Sequence, residues 1–358
     1  MKAAVLHGVD QPLLIEDIDI DEPRAGEVLV KTSATGVCHS DLHFMEGLYP
    51  TRFPVVLGHE SAGVVEKIGD GVTNVAPGDR VVVAFVASCA ICDNCVQGKP
   101  YLCTGGQALG RHDRLSFGGE SVTQFAGMSA FAEHQLISAS ACVPVPDDVP
   151  MEVAALVGCS VMTGVGAASN TARIEVGSTV AVVGCGGVGL NVIQGAIASG
   201  ASRVIAVDML ENKLASAREF GATDVVDASS GDPVAAVQDL VPGGVDYAFE
   251  AIGLTVTAEQ CFEMIKRGGR AVIVGMLPAA SSVTLPGAAF LGEKGMIGSF
   301  YGSTRQTHDM PWLMELYRQK RLKIDELISR RYDLDGINDA FAALKNGEVN
   351  RSVITFEE

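Results

Sequence analysis

The chain has 358 residues, about two and a half times a typical domain of about 150, so its length predicts two domains with ample core. Apolar residues make up 47% and charged residues only 19%, a balance that excludes a disordered chain. With 26 Lys and Arg against 43 Asp and Glu, the net charge of −17 repels phosphate backbones and anionic lipid, which argues against nucleic-acid and membrane partners and leaves small ligands open.

The N-terminal residues Met1 to His7 hold too short an apolar run for a signal peptide, which predicts a cytoplasmic protein. A strand-like run at 28–31 leads towards Cys38-His39-Ser40-Asp41 and then His43, and another at 54–57 leads into Gly58-His59-Glu60. Short strands broken by Gly, Pro and Asp follow at 63–69 and 79–83, the pattern of a β-rich domain.

Cys89, Cys92, Cys95 and Cys103 come next, spaced C-x2-C-x2-C-x7-C. In a reducing compartment such a cluster reads as metal ligands before disulfides. Four thiolates form a closed, soft sphere that selects zinc and leaves no coordination position free, so the ion there would be structural. An iron–sulfur cluster is the competing reading of the same spacing.

Two stretches without charge, 153–172 and 176–202, are long enough to span a bilayer. The second carries many glycines with Asn191 and Gln194, and reads as buried strand, glycine turn and helix. The first carries Cys159 beside Gly158. Cys38, His59 and Cys159 together would neutralise Zn²⁺ with two thiolates and one imidazole and keep a fourth position open. Taken singly, a His beside Gly is more often a satisfied core or turn residue, and a Cys in an apolar run more often a small apolar filler.

Residues 180–183 read as a buried parallel strand, followed at once by Gly184-Cys185-Gly186-Gly187-Val188-Gly189 and a helix-like run at 190–199. This is G-x-G-x-x-G in its required setting of strand, turn and helix, a dinucleotide site. Gly184 allows the tight turn, Gly186 a close approach to pyrophosphate, and Gly189 close packing of helix on strand, with the helix N-terminus facing the anion. A second strand at 204–207 ends in Asp208, whose carboxylate suits the adenosine ribose hydroxyls and repels a 2′-phosphate, which favours NAD over NADP. Further strand candidates at 224–227, 245–250 and 271–275 alternate with helical patterns, the rhythm of a doubly wound parallel sheet. Helix-like segments at 310–319 and 336–345 precede a last strand at 352–356 that is expected to return to the first domain.

Cys38-His39-Ser40-Asp41, Gly58-His59-Glu60, the four-cysteine lobe, the run from Gly184 to Gly189 and Asp208 resemble, in order and at family spacing, the zinc-dependent medium-chain alcohol dehydrogenases. The resemblance covers nearly the whole chain. It implies an α/β protein in which a GroES-like, β-rich catalytic domain (1–160 and 301–358, with the lobe at about 88–104) surrounds a doubly wound Rossmann NAD-binding domain (161–300). It implies two zincs per chain, a catalytic one on Cys38, His59 and Cys159 and a structural one in the lobe. Asp41 resembles the carboxylate that orients the ligand imidazole, and Glu60 the one that some members use as a transient ligand. Thr163, Val188 and Val274 fall where the family contacts nicotinamide, and Gly187 belongs to the glycine turn. His39, Lys213 and Arg351 fall where it contacts pyrophosphate or adenosine ribose.

The chemistry implied is reversible hydride transfer between NAD and an alcohol or aldehyde through a zinc-bound alkoxide. The proton would leave through Ser40 and the nicotinamide ribose to His43. Phe85 and Phe125 fall where the family lines its alcohol pocket, which suits primary alcohols, aromatic and allylic or terpenoid ones included. One branch oxidises a thiol adduct of formaldehyde and places an arginine soon after the last lobe cysteine. Here that stretch reads Thr104-Gly105-Gly106-Gln107, with no cation before Arg111, which argues against that activity. A non-catalytic dinucleotide-binding relative would be expected to lack catalytic ligands, and all three are present. The long Cys103 to Phe125 connection points to a homodimer rather than the tetramer of short-loop relatives. Cys142, Cys185 and Cys261 receive no role.

Overall fold

The computed structural model describes residues 1–106 and 114–357, so Gln107 and Arg111 lie outside the described residues. The chain forms two units, Met1–Ser160 with Arg305–Glu358, and Val161–Thr304.

At the centre of the first unit is the strand Glu27–Val37, rich in Val, Thr and Ala and buried along most of its length. It belongs to a seven-stranded sheet in the order Cys142–Pro144, Arg80–Val83, Ser61–Ile68, Glu27–Val37, Arg351–Thr355, Ile328–Tyr332, with His134–Ser138 also paired to Glu27–Val37. Val28, Val30, Val65, Val81, Val83 and Ile137 pack one apolar core of this unit. A second core gathers Val5, Leu57, Phe131, Phe341 and Leu344.

Register, rather than sequence proximity, assembles the site in this unit. Ser352 pairs with Val37, which sets Arg351 beside Cys38 where the central strand ends. Ser61 pairs with Thr35, which sets Glu60 beside Gly36, and the Gly36 N–H donates to the Glu60 carbonyl at 2.7 Å. The register between these strands shifts twice on the way, at Leu29/Val30 and Thr32/Ala34.

The second unit is a six-stranded sheet in the order Asp224–Asp227, Arg203–Asp208, Thr179–Val183, Val245–Glu250, Ile265–Ile273, Gly295–Gly298, every pair parallel. Counted along the chain the order is 3-2-1-4-5-6, the doubly wound arrangement, with its switch point between Thr179–Val183 and Val245–Glu250. Val180, Ala181 and Val182 are fully buried, as befits a parallel strand covered on both faces.

Two elements start earlier than the sequence pattern predicts. The strand Ile265–Ile273 runs through Gly268, at φ +76°, and a register shift opposite Val245 and Tyr247 absorbs the irregularity that reads as a turn. The helix Gln306–Arg318 contains Pro311, yet the Asp309 carboxylate accepts the Arg305 N–H at 2.8 Å and supports a first turn that the proline conceals. By length and composition Met151–Ala172 could cross a membrane, but 83% of its most apolar window is buried, as in the core helix of a folded domain.

Candidate active site and metal centres

In the lobe, the four thiol sulfurs of Cys89, Cys92, Cys95 and Cys103 lie within 4.8 Å of one another, and all four cysteines are free of disulfides. Cys92 and Cys103 are 3.9 Å apart, close to the edge of about 3.8 Å for a tetrahedron with metal–sulfur bonds of about 2.3 Å. That size fits one ion and not a multi-iron cluster. Backbone N–H groups already point at the sulfurs: Cys89 and Gly106 donate to Cys103 at 3.2 and 3.0 Å, and Cys92 donates to Cys89 at 3.4 Å. Hydrogen bonds from the Cys95 and Thr104 backbones lower the Cys92 pKa to about 5, whereas burial and the neighbouring thiols push Cys95 up to about 12. Metal binding would therefore displace at least one proton.

The second centre is buried. One ligand atom each from Cys38, His59 and Cys159 lies within 4.8 Å of the other two. Cys38 is the N-cap of the short helix His39–Met45, which begins as the central strand ends, and Cys159 lies in a widened, π-type turn of the helical stretch that starts at Met151. The His59 Nδ1 is 3.0 Å from Asp41 Oδ1, which also accepts the Gly58 N–H at 3.1 Å, so the ring is oriented and Nε2 is the nitrogen that would serve a metal. Burial opposes charge on His59, but Asp41 and Cys38 outweigh it and hold its pKa well above the usual range. The Cys38 thiol is held well below its usual value by a hydrogen bond from Cys159, assisted by Arg351 and His59. Two sulfurs and one oriented imidazole fit a zinc ion with one position open.

Around this triad the Ser40 hydroxyl is 3.7 Å from Cys38 Sγ. His43, on the same helix three residues on, is half-buried, and its Nδ1 is buried with no hydrogen-bond partner among the described residues. Burial lowers its pKa below the usual 6.5. Glu60 is fully buried, and burial raises its pKa. Arg351, read from the sequence as a dinucleotide contact, is 2% exposed and turns towards Cys38 and Glu60, whose charges keep it protonated against the cost of burial. His39 is exposed at the first position of its helix.

Phe85 and Phe125 both meet the His59 ring edge-on, with centroids at 5.6 and 5.9 Å. Sequence reasoning missed Phe44, which stacks edge-on against Phe125 at 4.7 Å and extends the aromatic wall to Tyr49 at 5.7 Å. Its spacing from His43 gives no sign of this, since the contact is made by the fold. Ser160 and Gly36, both against Glu60, were missed as well.

In the second unit Gly184 has φ +93° and opens the turn after Thr179–Val183. A Cβ on Gly189 would lie 1.8 Å from the Gly184 carbonyl oxygen, so helix and strand approach as closely as glycine alone allows. Above Gly186 there is open space, the kind of cradle a pyrophosphate fills. Gly187 begins the 12-residue helix Gly187–Ala198. Asp208 closes its strand with both carboxylate oxygens engaged, accepting the Cys185 N–H at 2.8 Å and the Leu210 N–H at 3.0 Å. Lys213 is buried, and its charge and that of Asp208 act in opposite directions on the Cys185 thiol. The segment of Thr163 packs on the first turn of the Gly187–Ala198 helix, for a Cβ on Gly164 would meet the Val188 carbonyl at 2.5 Å. Val274 follows Ile265–Ile273 and donates its N–H to the Glu250 carbonyl. Cys142, Cys185 and Cys261 are buried, and burial raises all three thiols, as expected of inert core residues.

The family model of the alcohol dehydrogenase GroES-like domain matches residues 24–147, and that of the zinc-binding dehydrogenases matches 187–319. The chain is 40% identical to the probable S-(hydroxymethyl)glutathione dehydrogenase 1 of Schizosaccharomyces pombe, over 99% of this chain and 96% of that one. It is also 40% identical to the NDMA-dependent alcohol dehydrogenase of Amycolatopsis methanolica, over 99% and 98%. The crystal structure of benzyl alcohol dehydrogenase from Acinetobacter calcoaceticus superposes with a TM-score of 0.94 at 32% identity, covering 99% of each chain. With a GroES-like unit, a doubly wound dinucleotide fold and two side-chain clusters that fit metal ions, the chain belongs to the zinc-dependent medium-chain alcohol dehydrogenases, oxidoreductases that use zinc and a nicotinamide dinucleotide.

Proposed function

We propose that this protein is an NAD-dependent dehydrogenase of primary alcohols, aromatic and allylic or terpenoid ones foremost, acting as a homodimer with two zincs per chain. The observation that carries the substrate class is the pair of phenylalanines edge-on to His59, extended by Phe44 and Tyr49 into a continuous aromatic wall. The resemblance to a benzyl alcohol dehydrogenase supports it. Preference for NAD is supported by Asp208, a carboxylate fixed by two backbone amides where a 2′-phosphate would otherwise sit.

In this reading Cys38, His59 and Cys159 hold the reactive zinc and the lobe cysteines hold a structural one. When bound, zinc supplies the Lewis acidity that makes an alcohol hydroxyl acidic near neutral pH, and nicotinamide accepts the hydride. The chain's own residues do the rest. Asp41 fixes the His59 ring, and Cys38 and Cys159 as thiolates would balance the charge of the ion they hold. The Ser40 hydroxyl would accept the alcohol's proton while passing its own onward, and neutral His43, one helical turn on, is the base that receives a proton at the end of the path.

The similarity to an S-(hydroxymethyl)glutathione dehydrogenase favours a second reading, oxidation of a thiol adduct of formaldehyde. One experiment separates them: dinucleotide reduction, with NAD and NADP in parallel, across aliphatic, aromatic, allylic and secondary alcohols, and with formaldehyde with and without glutathione. The first reading expects the highest kcat/KM with aromatic or allylic primary alcohols and NAD. Formaldehyde turnover that requires the thiol and exceeds every alcohol would replace it with the second.

A further inference from the structure

Cys38, His59 and Cys159 sit on three separate segments, and a chain of their immediate neighbours ties these segments together. Ser160, adjacent to Cys159, donates its backbone N–H and its hydroxyl to Glu60 Oε1 at 3.0 and 2.5 Å. Glu60, adjacent to His59, faces Arg351 through Oε2, with Nε at 3.8 Å. Arg351 in turn donates to the Val37 carbonyl at 3.4 Å and to Cys38 Sγ at 3.7 Å. Every link in this chain is protein to protein.

The links are unequal. Two donors converge on one oxygen of a carboxylate that is 0% exposed, the strongest arrangement in the set. The Arg351 side is looser: Glu60 Oε2 and Arg351 Nε each lack a hydrogen-bond partner among the described residues. The Ser160 hydroxyl has one proton and two candidate acceptors, and the 2.5 Å contact to Glu60 takes it over the Leu156 carbonyl at 3.4 Å. Space for the carboxylate is made by Gly36, where a Cβ would fall 2.6 Å from Glu60 Cδ. A carboxylate so seated, with one oxygen anchored to the Cys159 segment, fixes the distance between His59 and Cys159 before any ion arrives.

We propose that Ser160 is a positioning residue of the reactive metal centre: its grip on Glu60 holds the His59 and Cys159 segments in register, so the site is preformed and releases its ion slowly. Nothing in the lobe depends on this clasp, because there the backbone N–H groups of the loop itself order the sulfurs. The inference rests on the assignment of Cys38, His59 and Cys159 as zinc ligands.

The test is zinc release from the purified, zinc-loaded protein into an excess of a chromophoric chelator, for the wild type, Ser160→Ala and Ser160→Thr. In Ser160→Ala one of the two zincs, the one that Cys159→Ala lacks, is expected to leave about 10- to 100-fold faster, with release of the other unchanged. Ser160→Thr, which keeps the hydroxyl, is expected to restore slow release. Unchanged release in Ser160→Ala, equal acceleration of both zincs, or a threonine variant as fast as the alanine one would overturn the proposal. A wild type that yields only one zinc per chain would refute the ligand assignment itself, and the clasp with it.

Discussion

The lobe and the buried triad, the two metal sites proposed above, share thiol chemistry but are built on opposite plans. The lobe draws all its ligands from one short loop, and the backbone of that loop orders them, with N–H groups of Cys89, Cys92 and Gly106 directed at sulfur. Three of its four cysteines are only half-buried. The triad draws one ligand from each of three distant segments, buries all of them, and orders them through side chains: Asp41 on His59, Ser160 on Glu60, Arg351 on Cys38. A loop that orders its own ligands is a fixture of the fold and can be closed around its ion. A site assembled from strand ends can leave one position free, because its ligands are braced from behind.

That contrast makes the two centres separable by mutation. Cys159→Ala removes a ligand from the open site and is expected to lower kcat/KM at least about 1,000-fold, equivalent to about 4 kcal/mol, while leaving the lobe's zinc and most of the stability in place. Steady-state kinetics with thermal unfolding check it, and a Tm drop as large as that of a lobe variant would break the distinction. Cys95→Ala opens the lobe. It is expected to lower the unfolding midpoint by about 5 to 10 °C, with kcat/KM of the folded protein changed by less than about 10-fold.

The smallest effect is expected at His43, which in the proposed mechanism ends the proton path from outside the ligand shell. Burial lowers its pKa below 6.5, so the ring is neutral at pH 7 and able to take a proton, and that capacity is lost only as the pH falls through the lowered value. His43→Gln is therefore expected to slow alcohol oxidation about 10-fold near neutrality, with the gap closing as alkaline solvent takes over the role. Rates equal to the wild type from about pH 6 to about pH 9 would remove His43 from the mechanism.

The same contrast explains what the sequence could tell. The lobe was legible as a candidate metal site from spacing alone, because its cysteines are local; the 3.9 Å separation of Cys92 and Cys103 then favours one ion over a cluster. The Gly184 to Gly189 turn was legible because strand, turn and helix are contiguous, and the doubly wound sheet followed from the rhythm of its strands. The triad was different. Taken singly, His59 and Cys159 read more readily as core residues, and ligand chemistry offered the three only as one possible zinc site until the dinucleotide motif and the family pattern supported it. Ser160, Gly36 and Phe44 left no trace, since each matters through a neighbour that strand register supplies: Ser61 opposite Thr35 brings Glu60 to Gly36, and the fold brings Phe44 to Phe125. The helix Gln306–Arg318 starts before the 310 expected, with its first turn supported by the side chain of Asp309, a contact the pattern does not show.

The central claim is that one chain holds two zincs in differently built sites, and metal content measured on the wild type, Cys159→Ala and Cys95→Ala tests it most directly. The expected result is two zincs per wild-type chain and one in each variant, with the variants losing different ions: Cys159→Ala keeps its unfolding midpoint and Cys95→Ala keeps its turnover. One zinc per wild-type chain, or both ions lost together from either variant, would contradict it.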